Sequence, residues 1–304
     1  MTMNTKHLIF IVNEFSRHGK KTTKNIKESM ALYDNTYEIH VTQYKEHATS
    51  LAESFARKYE SDFLVVAVGG DGTLNEVVIG LINAGNRLPV GYVPTGSGND
   101  FARSLHIPMA IDSAIKNIIE KSEPRLLDIL IGKSENTSIV AVNSIGFGLD
   151  GMVIYKIDQT KNKQTIGKFS YLASVLSAYF SQNTFPLKLI ADGQLFTYGE
   201  SLLIVFTNNK FFGGGIPIHP QADATDGLID IVVAEKVSFR ELLSILFSVL
   251  TTQKHLNHPK LHSHRVSSST LSLYTPQYGQ RDGELIDKNI QRISVDVIKH
   301  PFWI

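Results

Sequence analysis

The sequence predicts an α/β protein of two domains: a doubly wound parallel sheet covered by helices, followed by a β-rich domain. Between Leu8 and Val93, apolar runs of strand length alternate with helix-compatible stretches. After Pro124, strand-like runs instead follow one another closely, which favours antiparallel pairing. With 304 residues, of which 42% are hydrophobic, the chain is long enough for a core in each domain. We expect these domains at residues 1–125 and 126–290.

Continuous apolar, β-branched strands joined by helices indicate that the first sheet is parallel and covered on both faces. In chain order, the predicted strands are LIFIV, YEIHVTQ, FLVVAV and LPVGYV, and the predicted helices are 20–32, 47–59 and 74–84. In the third helix, apolar residues fall at i, i+3, i+4, i+7 and i+8, as on the buried side of an amphipathic helix. Thr73 and Glu76 stand where a capping box would begin that helix.

The second domain is predicted from a succession of strand-like runs. In chain order they are LLDILIG, SIVAVNSIG, PLKLIADG, LLIVFTN, LIDIVVAE, SSTLSLY and ISVDVI. Two helix-compatible stretches, 167–181 and 239–252, interrupt them. The last run and the residues after it, beyond 290, could return to the first domain.

Composition excludes several classes of function. With 30 Lys and Arg against 29 Asp and Glu, the net charge is +1, so no overall field attracts nucleic acid or an anionic membrane. The absence of cysteine excludes disulfides, thiolate zinc sites and cysteine nucleophiles. We predict no signal peptide and no membrane span, because the apolar windows fall well short of the ~20 residues that cross a bilayer. These observations favour a cytoplasmic protein.

The segment GGDG at 69–72 separates the third strand from the third helix. It therefore lies at the carboxyl end of a parallel strand, where open α/β sheets bind ligands and where the N–H groups of a helix start favour phosphate. The glycines let an anion approach closely, but the carboxylate of Asp71 would repel that anion unless a cation lay between them. The pattern indicates a magnesium-nucleotide site; the alternative is that Asp71 only caps a turn.

A second turn of the same kind, PTGSGNDFAR at 94–103, follows the next strand. Its glycines free the backbone, and Thr95, Ser97 and Asn99 offer side-chain donors. Two phosphate-suited turns on neighbouring strand ends are far less expected by chance than one. The turn lacks the third glycine of G-x-G-x-x-G, and the chain has no G-x-x-x-x-G-K-[ST], so the dinucleotide fingerprint and the Walker loop fit poorly.

A third polar loop, NEFSRHGKK at 13–21, follows the first strand. Ser16, Gly19 and Lys20 are candidates to contact phosphate oxygens, although a basic stretch at a helix start is usually only solvated. The three loops together predict a nucleotide site that uses neither standard fingerprint.

GGDGTLNE and PTGSGNDFAR, separated by about one helix and one strand, resemble the catalytic domain of the diacylglycerol kinase family, lipid kinases that include sphingosine and ceramide kinases. GFGLD at 146–150, FFGGGIPIHPQADATDGLID at 211–230 and RDGE at 281–284 match further family patterns in family order. The resemblance covers essentially the whole chain. It implies a nucleotide domain of the NAD kinase and phosphofructokinase type, a β-rich domain, and a cleft where ATP meets a lipid hydroxyl.

The resemblance implies roles for individual residues. Asp71 would hold the catalytic Mg²⁺ on ATP, and Glu284 matches the general base for the acceptor hydroxyl, with Asp282 as second candidate. Without the resemblance, RDGE would be interpreted as an ordinary hairpin turn. The residues that would line the nucleotide are Asn13, Glu14, Phe15, Ser16, Arg17, Thr42, Gly69, Gly70, Asp71, Gly72, Thr73, Asn75, Thr95, Gly96 and Ser97.

The segment DATDGL matches a second, structural Mg²⁺ site of bacterial members. By this resemblance, Asp223, Asp226 and the backbone at Leu228 would hold the ion, and a water network that includes Asp128 would connect it to the active site. On spacing alone, the two aspartates would instead be interpreted as turn caps, because the segment lacks the acid spacing of an EF-hand loop.

The first loop departs from the family pattern. Members of the family usually begin this loop with Asn-Pro and carry glycine where this chain has Arg17, whereas here Glu14 replaces the proline. A carboxylate and a guanidinium where compact residues are expected place the nucleotide preference of the loop in question. The two main motifs are intact.

The resemblance predicts an ATP- and Mg²⁺-dependent lipid kinase, with diacylglycerol as the first expectation and phosphatidylglycerol, undecaprenol or a sphingoid base as alternatives. The rival functions are an NAD kinase, since GGDGT occurs there too, a non-catalytic nucleotide-binding module, and a structural α/β protein. We expect transient peripheral contact with the inner membrane surface. The run 239–252 has a broad apolar face but few basic residues, so core packing is expected there. Free strand edges leave a homodimer open.

Overall fold

The computed structural model describes residues 6–14, 19–59, 63–85, 88–135, 137–159 and 168–304, without the side chains of 19, 20 and 168–170. The chain divides into two compact units: Met1–Leu127 with His300–Ile304, and Asp128–Lys299. The first is a parallel sheet between helices, and the strands of the second pair antiparallel. The predicted α/β fold class with a β-rich second domain is therefore confirmed.

The first unit alternates strands and helices, as the sequence predicts. Its elements are β1 (His7–Val12), α1 (Gly19–Met30), β2 (Tyr37–Val41), α2 (His47–Lys58), β3 (Phe63–Gly69), α3 (Asp71–Asn83), β4 (Val90–Pro94), α4 (Asp100–Ser104) and α5 (Ile111–Glu120). The strand order is β2-β1-β3-β4, with every pair parallel, and Phe302 and Trp303 at the C-terminus pair in parallel with β4.

Both faces of this sheet are buried because its strands are apolar at nearly every position. On one face, Phe10 of β1 and Val66 of β3 share a core with Ile26 of α1 and Ile115 of α5. On α2 and α3, the helix backbones approach closely: a Cβ added at Gly80 would overlap the Thr49 carbonyl. Glycine is therefore required at that position of α3.

The strand order places a topological switch point at β1 and β3. The chain passes from β1 to β2 on one side and then to β3 on the other, so the loops after β1 and β3 diverge at the carboxyl ends of neighbouring strands. In open α/β sheets, ligands bind in the crevice that this divergence leaves. The loop from Asn13 and the turn at Gly69–Asp71 are the segments at that crevice.

The predicted capping box at the start of α3 is wrong. The helix begins at Asp71, and its N-cap is Gly70, which has no side chain to accept a hydrogen bond. The Glu76 carboxylate instead accepts hydrogen bonds from the backbone N–H groups of Glu46 and Ala48 at 3.2 and 3.3 Å, at the start of α2. The Glu76 side chain, which the local sequence pattern assigned to the capping box of α3, therefore binds the start of α2 instead.

The second unit is built on antiparallel strands, and its described residues include the three α-helices α6, α7 and α8. Its elements are β5 (Arg125–Lys133), β6 (Ser138–Ala141), β7 (Ser144–Gly148), α6 (Leu149–Gln159), α7 (Lys168–Tyr179), β8 (Phe185–Ala191), β9 (Gln194–Thr207), β10 (Phe211–Phe212), β11 (Ile216–Pro217), β12 (Ile229–Glu235), α8 (Phe239–Leu250), β13 (Leu261–Val266), β14 (Ser268–Leu273), β15 (Gly279–Arg281), β16 (Glu284–Ile286) and β17 (Arg292–Trp303). The long strand β9 pairs with β7, β8 and β12.

Two hydrophobic clusters organise the second unit. One lies among the strands and includes Phe147, Leu189, Phe206 and Ile231. The other joins α6, α7 and α8 to the sheet. The sequence predicted helices at α7 and α8 but missed α6. No helix in the described part of the chain has the length and apolarity needed to cross a membrane.

Candidate functional site

The turns after β3 and β4 lie against each other in the first unit. The backbone N–H groups of Thr95 and Gly96 donate to the Gly69 carbonyl at 2.7 and 3.2 Å. A Cβ added at Gly96 would lie 2.5 Å from the Cα of Gly70, closer than real Cβ atoms come. Glycine is therefore needed for the two backbones to meet. The GGDG and PTGSGND motifs form one continuous backbone surface.

The Asp71 carboxylate is held by the second of these turns. Its Oδ2 accepts the N–H of Asp100 at 2.9 Å, and its Oδ1 accepts the N–H of Phe101 at 3.0 Å. These are the first two residues of α4, where backbone N–H groups and the helix dipole stabilise negative charge. Asp71 thus has the fixed orientation and charge that a magnesium ligand requires.

Asn99 fixes the shape of the second turn. It has φ = 52°, in the left-handed region that asparagine tolerates better than most residues. Its side chain accepts the Gly96 N–H at 3.1 Å and donates to the Gly96 carbonyl at 3.0 Å. A side chain that bonds both backbone groups of Gly96 closes the turn tightly. The sequence predicted a phosphate donor at Asn99, whereas its buried amide serves the turn itself.

Tyr92 in β4 contacts both turns through its hydroxyl group. Its hydroxyl lies 3.4 Å from the Gly69 carbonyl and 3.4 Å from Oδ1 of Asn99. Burial, reinforced by the charges of Asp71 and Asp100, raises the pKa of Tyr92 well above its usual value, so the hydroxyl remains a donor. Sequence analysis missed this residue because a tyrosine in an apolar strand has the pattern of a core residue.

The remaining predicted nucleotide residues are partly arranged for a ligand. The Asn13 amide donates to the Thr73 hydroxyl at 3.2 Å across the ends of β1 and α3. The buried Oδ1 of Asn75 has no hydrogen-bond partner among the described residues, and a Cβ added at Gly72 would meet nothing within 4 Å. An orphaned amide oxygen in the first turns of α3 and open space at Gly72 are both compatible with a polar ligand at the start of this helix.

The other predicted nucleotide-binding residues differ in solvent exposure. Thr42 and Thr95 are buried, and Ser97 is exposed. Glu14 accepts a hydrogen bond from the Thr23 hydroxyl, so this unusual carboxylate is tied to α1. Phe15, Ser16 and Arg17 lie outside the described residues.

In the second unit, RDGE at 281–284 is a two-residue β-hairpin turn. Arg281 and Glu284 are paired residues of β15 and β16, and Asp282 and Gly283 between them have φ values of 44° and 82°. Left-handed φ at both central residues is typical of a type I′ turn. The turn that the sequence alone favoured is present, and it presents Glu284, half-buried, 4.0 Å from the Arg281 guanidinium.

Asp282 has a structural role in this hairpin. Its carboxylate accepts the backbone N–H groups of Val142, Asn143 and Ser144 at 2.7, 2.8 and 2.9 Å. This contact breaks the predicted single strand SIVAVNSIG into β6 and β7. The oxygens of Asp282 therefore serve three backbone donors and hold the hairpin to the segment between β6 and β7.

A buried polar chain connects the hairpin to Asp150 at the start of α6. The Gln280 side chain accepts the Gly283 N–H at 2.8 Å and donates to Oδ2 of Asp150 at 2.7 Å. The Tyr171 hydroxyl lies 3.4 Å from Oδ1 of Asp150. A Cβ added at Gly146 would overlap this carboxylate, so the glycine of GFGLD makes room for the aspartate. Sequence analysis missed Asp150 and Gln280 as site residues, although an aspartate within an apolar helix start was a visible signal.

Asp150 opens into an apolar cavity of about 100 Å³ in the second unit. The walls come mainly from α6, α7, α8 and β9. Residues that line the cavity include Leu149, Val153, Tyr171, Val175, Leu202, Phe212, Ile216, Leu242, Leu246 and Val249. Phe212 of β10 is part of this wall. His255 also lines the cavity, so a few polar groups meet largely apolar walls, which is the arrangement that binds an amphipathic molecule.

Replacing Asp150 by asparagine should stabilise the protein at alkaline pH. Burial raises the pKa of Asp150 to about 6, against the opposing effect of hydrogen bonds from Gln280 and Tyr171. The folded state therefore binds this proton more tightly than the unfolded chain, and that stabilisation is lost as pH rises through about 6. We expect Asp150→Asn to raise the free energy of unfolding by up to roughly 3 kcal/mol near pH 8 and to change it little near pH 4. Urea denaturation of both proteins at the two pH values measures this; an equal effect at both would contradict it.

The two aspartates of the acidic loop at 223–230, which belong to the predicted second Mg²⁺ site, make polar contacts within the chain. Asp226 accepts the Leu228 N–H at 2.9 Å and forms an ion pair with the Arg265 guanidinium. Asp223 accepts the N–H and the hydroxyl of Thr225 at 3.0 and 2.7 Å. Both carboxylates thus make the turn-capping contacts that were the alternative interpretation.

A second basic side chain enters the same loop. The Lys299 ammonium lies 2.8 Å from Oδ1 of the fully buried Asp128 and 2.7 Å from the Thr225 carbonyl, while Oδ2 of Asp128 accepts the Gly227 N–H at 2.7 Å. Within the described ranges, no three or more His, Asp or Glu side chains are grouped to hold a metal ion. Basic side chains therefore accompany Asp226 and Asp128, and the second Mg²⁺ site at Asp223, Asp226 and Leu228 stays a prediction.

Comparison with known proteins gives concordant results for both units. The family model "diacylglycerol kinase catalytic domain" matches residues 7–130, and the "YegS C-terminal NAD kinase beta sandwich-like domain" matches residues 143–296. A diacylglycerol kinase of Staphylococcus saprophyticus is 31% identical over 78% of this chain and 74% of its own. One of Staphylococcus haemolyticus is 30% identical over 85% and 75%, respectively.

Solved structures share the fold. A crystal structure of a diacylglycerol kinase from Bacillus anthracis superposes with a TM-score of 0.71, covering 98% of this chain and 96% of that one at 20% identity. At that identity the similarity concerns architecture. The two parts of the chain that the family models match contain the Asp71 turn and the Glu284 hairpin, respectively.

Proposed function

Since the chain belongs to the diacylglycerol kinase family and is a lipid kinase with an alcohol group as acceptor, we propose that it phosphorylates diacylglycerol with ATP and Mg²⁺, giving phosphatidic acid. The observation that carries the choice of a lipid acceptor is the cavity of the second unit, with apolar walls and one buried carboxyl group. A nicotinamide nucleotide, the acceptor of the rival NAD kinase, is polar over its whole length and suits such walls poorly.

In the first unit, the paired turns and the start of α3 bind the phosphates. The backbone around Gly70 and Gly96 contacts the phosphates, and the start of α3 adds N–H donors and the positive end of the helix dipole. Asp71, oriented by α4, would hold Mg²⁺, which when bound neutralises charge on the phosphates during transfer. We derive no step from a second metal ion at Asp223 and Asp226.

In the second unit, the hairpin and the cavity act on the acceptor. The cavity receives part of an acyl chain, and the Asp150 carboxyl group, positioned by Gln280, binds the polar end. Glu284 takes the proton of the attacking hydroxyl as the oxygen–phosphorus bond forms and the bond from that phosphorus to ADP breaks, releasing ADP. The proton transfer is the part of the reaction that a positioned base accelerates. The cavity of about 100 Å³ holds only a few methylene groups, so binding a full chain requires the helices around it to move apart.

A single assay tests the proposal against its rivals. Purified protein is incubated with Mg²⁺ and ATP labelled in its terminal phosphate, once with diacylglycerol vesicles and once with NAD. Label in a chloroform-extractable product, matching phosphatidic acid, is the expected result. Label in NADP would favour the NAD kinase, and label in neither would favour a non-catalytic module. Phosphatidylglycerol, undecaprenol and a sphingoid base in parallel identify the preferred acceptor.

A further inference from the structure

Helix α8 carries apolar residues on two sides, and only one of them faces the protein. Leu242, Leu246 and Val249 line the cavity. The adjacent side carries Phe239, Leu243, Phe247 and Leu250, with exposed fractions of 39, 43, 69 and 38%. Spacings of four, four and three residues place these side chains in one stripe along the helix. The sequence predicted core packing for this run, but its outer stripe lies in solvent.

An exposed aromatic residue after α7 extends the stripe. Phe180 is 72% exposed, and its ring lies 5.2 Å from the ring of Phe239, centroid to centroid. The stripe and Phe180, which we call the α8 patch, therefore form a contiguous surface. Isolated exposed apolar residues are common on soluble proteins, but a contiguous group of this kind marks an interaction site.

The charges around the α8 patch favour an anionic partner. Exposed Arg240 lies near the start of α8 and exposed Lys254 follows its end, with no other charged residue between Glu241 and Lys254. Glu241 is engaged in the capping box with Ser238 and in an ion pair with Lys260 at 3.0 Å. Phenylalanine and leucine on the contact side are found on helices that lie in a bilayer interface. The two basic residues are fewer than such helices usually carry, but they lie near the ends of α8, where each adds attraction to anionic head groups.

We propose that the α8 patch docks the protein on a bilayer that contains anionic phospholipid. The inference rests on the proposed function, which places the acyl chain of the acceptor on the inner side of this same helix. One helix then separates the membrane from the cavity, so movement of α8 would connect the two. Phe180, Phe239 and Phe247 enter the acyl boundary, while Arg240 and Lys254 meet phosphate head groups.

A second copy of the chain is a less suitable occupant of the α8 patch. In a two-fold dimer the same surface meets itself. An antiparallel pair of α8 helices would bring Arg240 of one copy near Lys254 of the other, and a parallel pair would bring Arg240 near its own equivalent. Both arrangements oppose like charges, which disfavours association.

Flotation with vesicles tests the docking surface directly. The wild type and the double variant Phe180→Ser, Phe247→Ser are mixed with vesicles of phosphatidylcholine alone or with added phosphatidylglycerol. We expect the wild type to bind the mixed vesicles, and the variant to bind them more weakly by on the order of tenfold for each aromatic ring removed. Leu195→Ser, which changes an exposed leucine of β9, is the matched control and should bind as the wild type does.

Two further measurements separate this inference from the proposed function. Because all three positions are exposed, the variants should keep the wild-type melting temperature. On a short-chain diacylglycerol dissolved as monomers, the double variant should be as active as the wild type, whereas on vesicles it should be slower. Loss of phosphorylation by the wild type in both assays would defeat the proposed function and leave the flotation result standing.

The docking proposal has its own contrary results. Undiminished binding of the double variant to mixed vesicles, or no binding by the wild type, would overturn it. So would a wild-type dimer in analytical ultracentrifugation that becomes monomeric in the double variant while vesicle binding stays the same. The last result would identify the α8 patch as a self-association surface.

Discussion

Asp71→Asn is expected to lower lipid phosphorylation by about 10³-fold, because a magnesium ligand contributes several kcal/mol to stabilising the transferring phosphoryl group. The substitution keeps the size of the side chain and one carbonyl oxygen that can accept the N–H of Asp100 or Phe101. It removes the charge that a divalent cation needs. Steady-state kinetics at saturating lipid, over a series of Mg²⁺ concentrations, measures the loss.

Asparagine is a sharper test at this position than alanine. Asp71 accepts two N–H groups at the start of α4, so alanine would leave both without their partner and disturb the turn as well as the metal. Asp192→Asn provides a matched control, since that carboxylate also accepts neighbouring backbone N–H groups, from Ser267 and Ser268 at 3.0 and 2.9 Å. The control should keep full activity. Activity of Asp71→Asn within a few-fold of the wild type would refute the metal role.

The architecture of the first unit was predictable because its local signals agree with its tertiary structure. Buried parallel strands such as β1 and β3 are apolar at nearly every position, and glycines mark the turn that follows β3. The meeting of the two turns also follows from the sequence, since adjacent parallel strands end at the same edge. The sequence did not predict the hydrogen bonds between the two turns. The backbone N–H groups that bind the Asp71 carboxylate belong to residues 29 and 30 positions further along the chain.

The second unit shows where sequence reasoning stops. Asp150 and Gln280 are 130 residues apart, and the local sequence around neither residue predicts the hydrogen bond between them. The same holds for Asp282, whose partners at Val142, Asn143 and Ser144 lie about as far away in sequence. Buried polar groups must find partners, but periodicity does not say which ones. The site in this unit depends on such pairs.

The sequence of helix α8 did not predict which of its apolar residues are covered by other elements. Its hydrophobic pattern is wide enough to serve two faces, and the sequence does not say which face another element covers. Core packing was therefore the reasonable expectation for the whole run, and it is correct for Leu242 and Val249 but wrong for Phe247. Exposure is a property of the assembled fold. A pattern that is apolar around most of a helix predicts either full burial or an external apolar partner.

Glu284→Gln is expected to lower the turnover number by 10²- to 10⁴-fold, the usual contribution of a general base, and to leave the KM for ATP nearly unchanged. Glutamine keeps the shape of the side chain but does not accept a proton at neutral pH. Since Glu284 is half-buried at the end of a hairpin, the variant should also keep the wild-type melting temperature. Equal losses in turnover and nucleotide affinity would count against the base.

The neighbouring carboxylates allow the assignment of the base to be decided. Asp282→Asn should act mainly on stability, because one of its oxygens accepts N–H groups of Asn143 and Ser144 and the other accepts that of Val142. Asp150→Asn should raise the KM for the lipid more than it lowers turnover, if this carboxyl group binds the polar end of the acceptor. A large loss of turnover in Asp150→Asn, together with an active Glu284→Gln variant, would instead place proton transfer at the buried aspartate. The hairpin would then act through Gln280, which orients that aspartate.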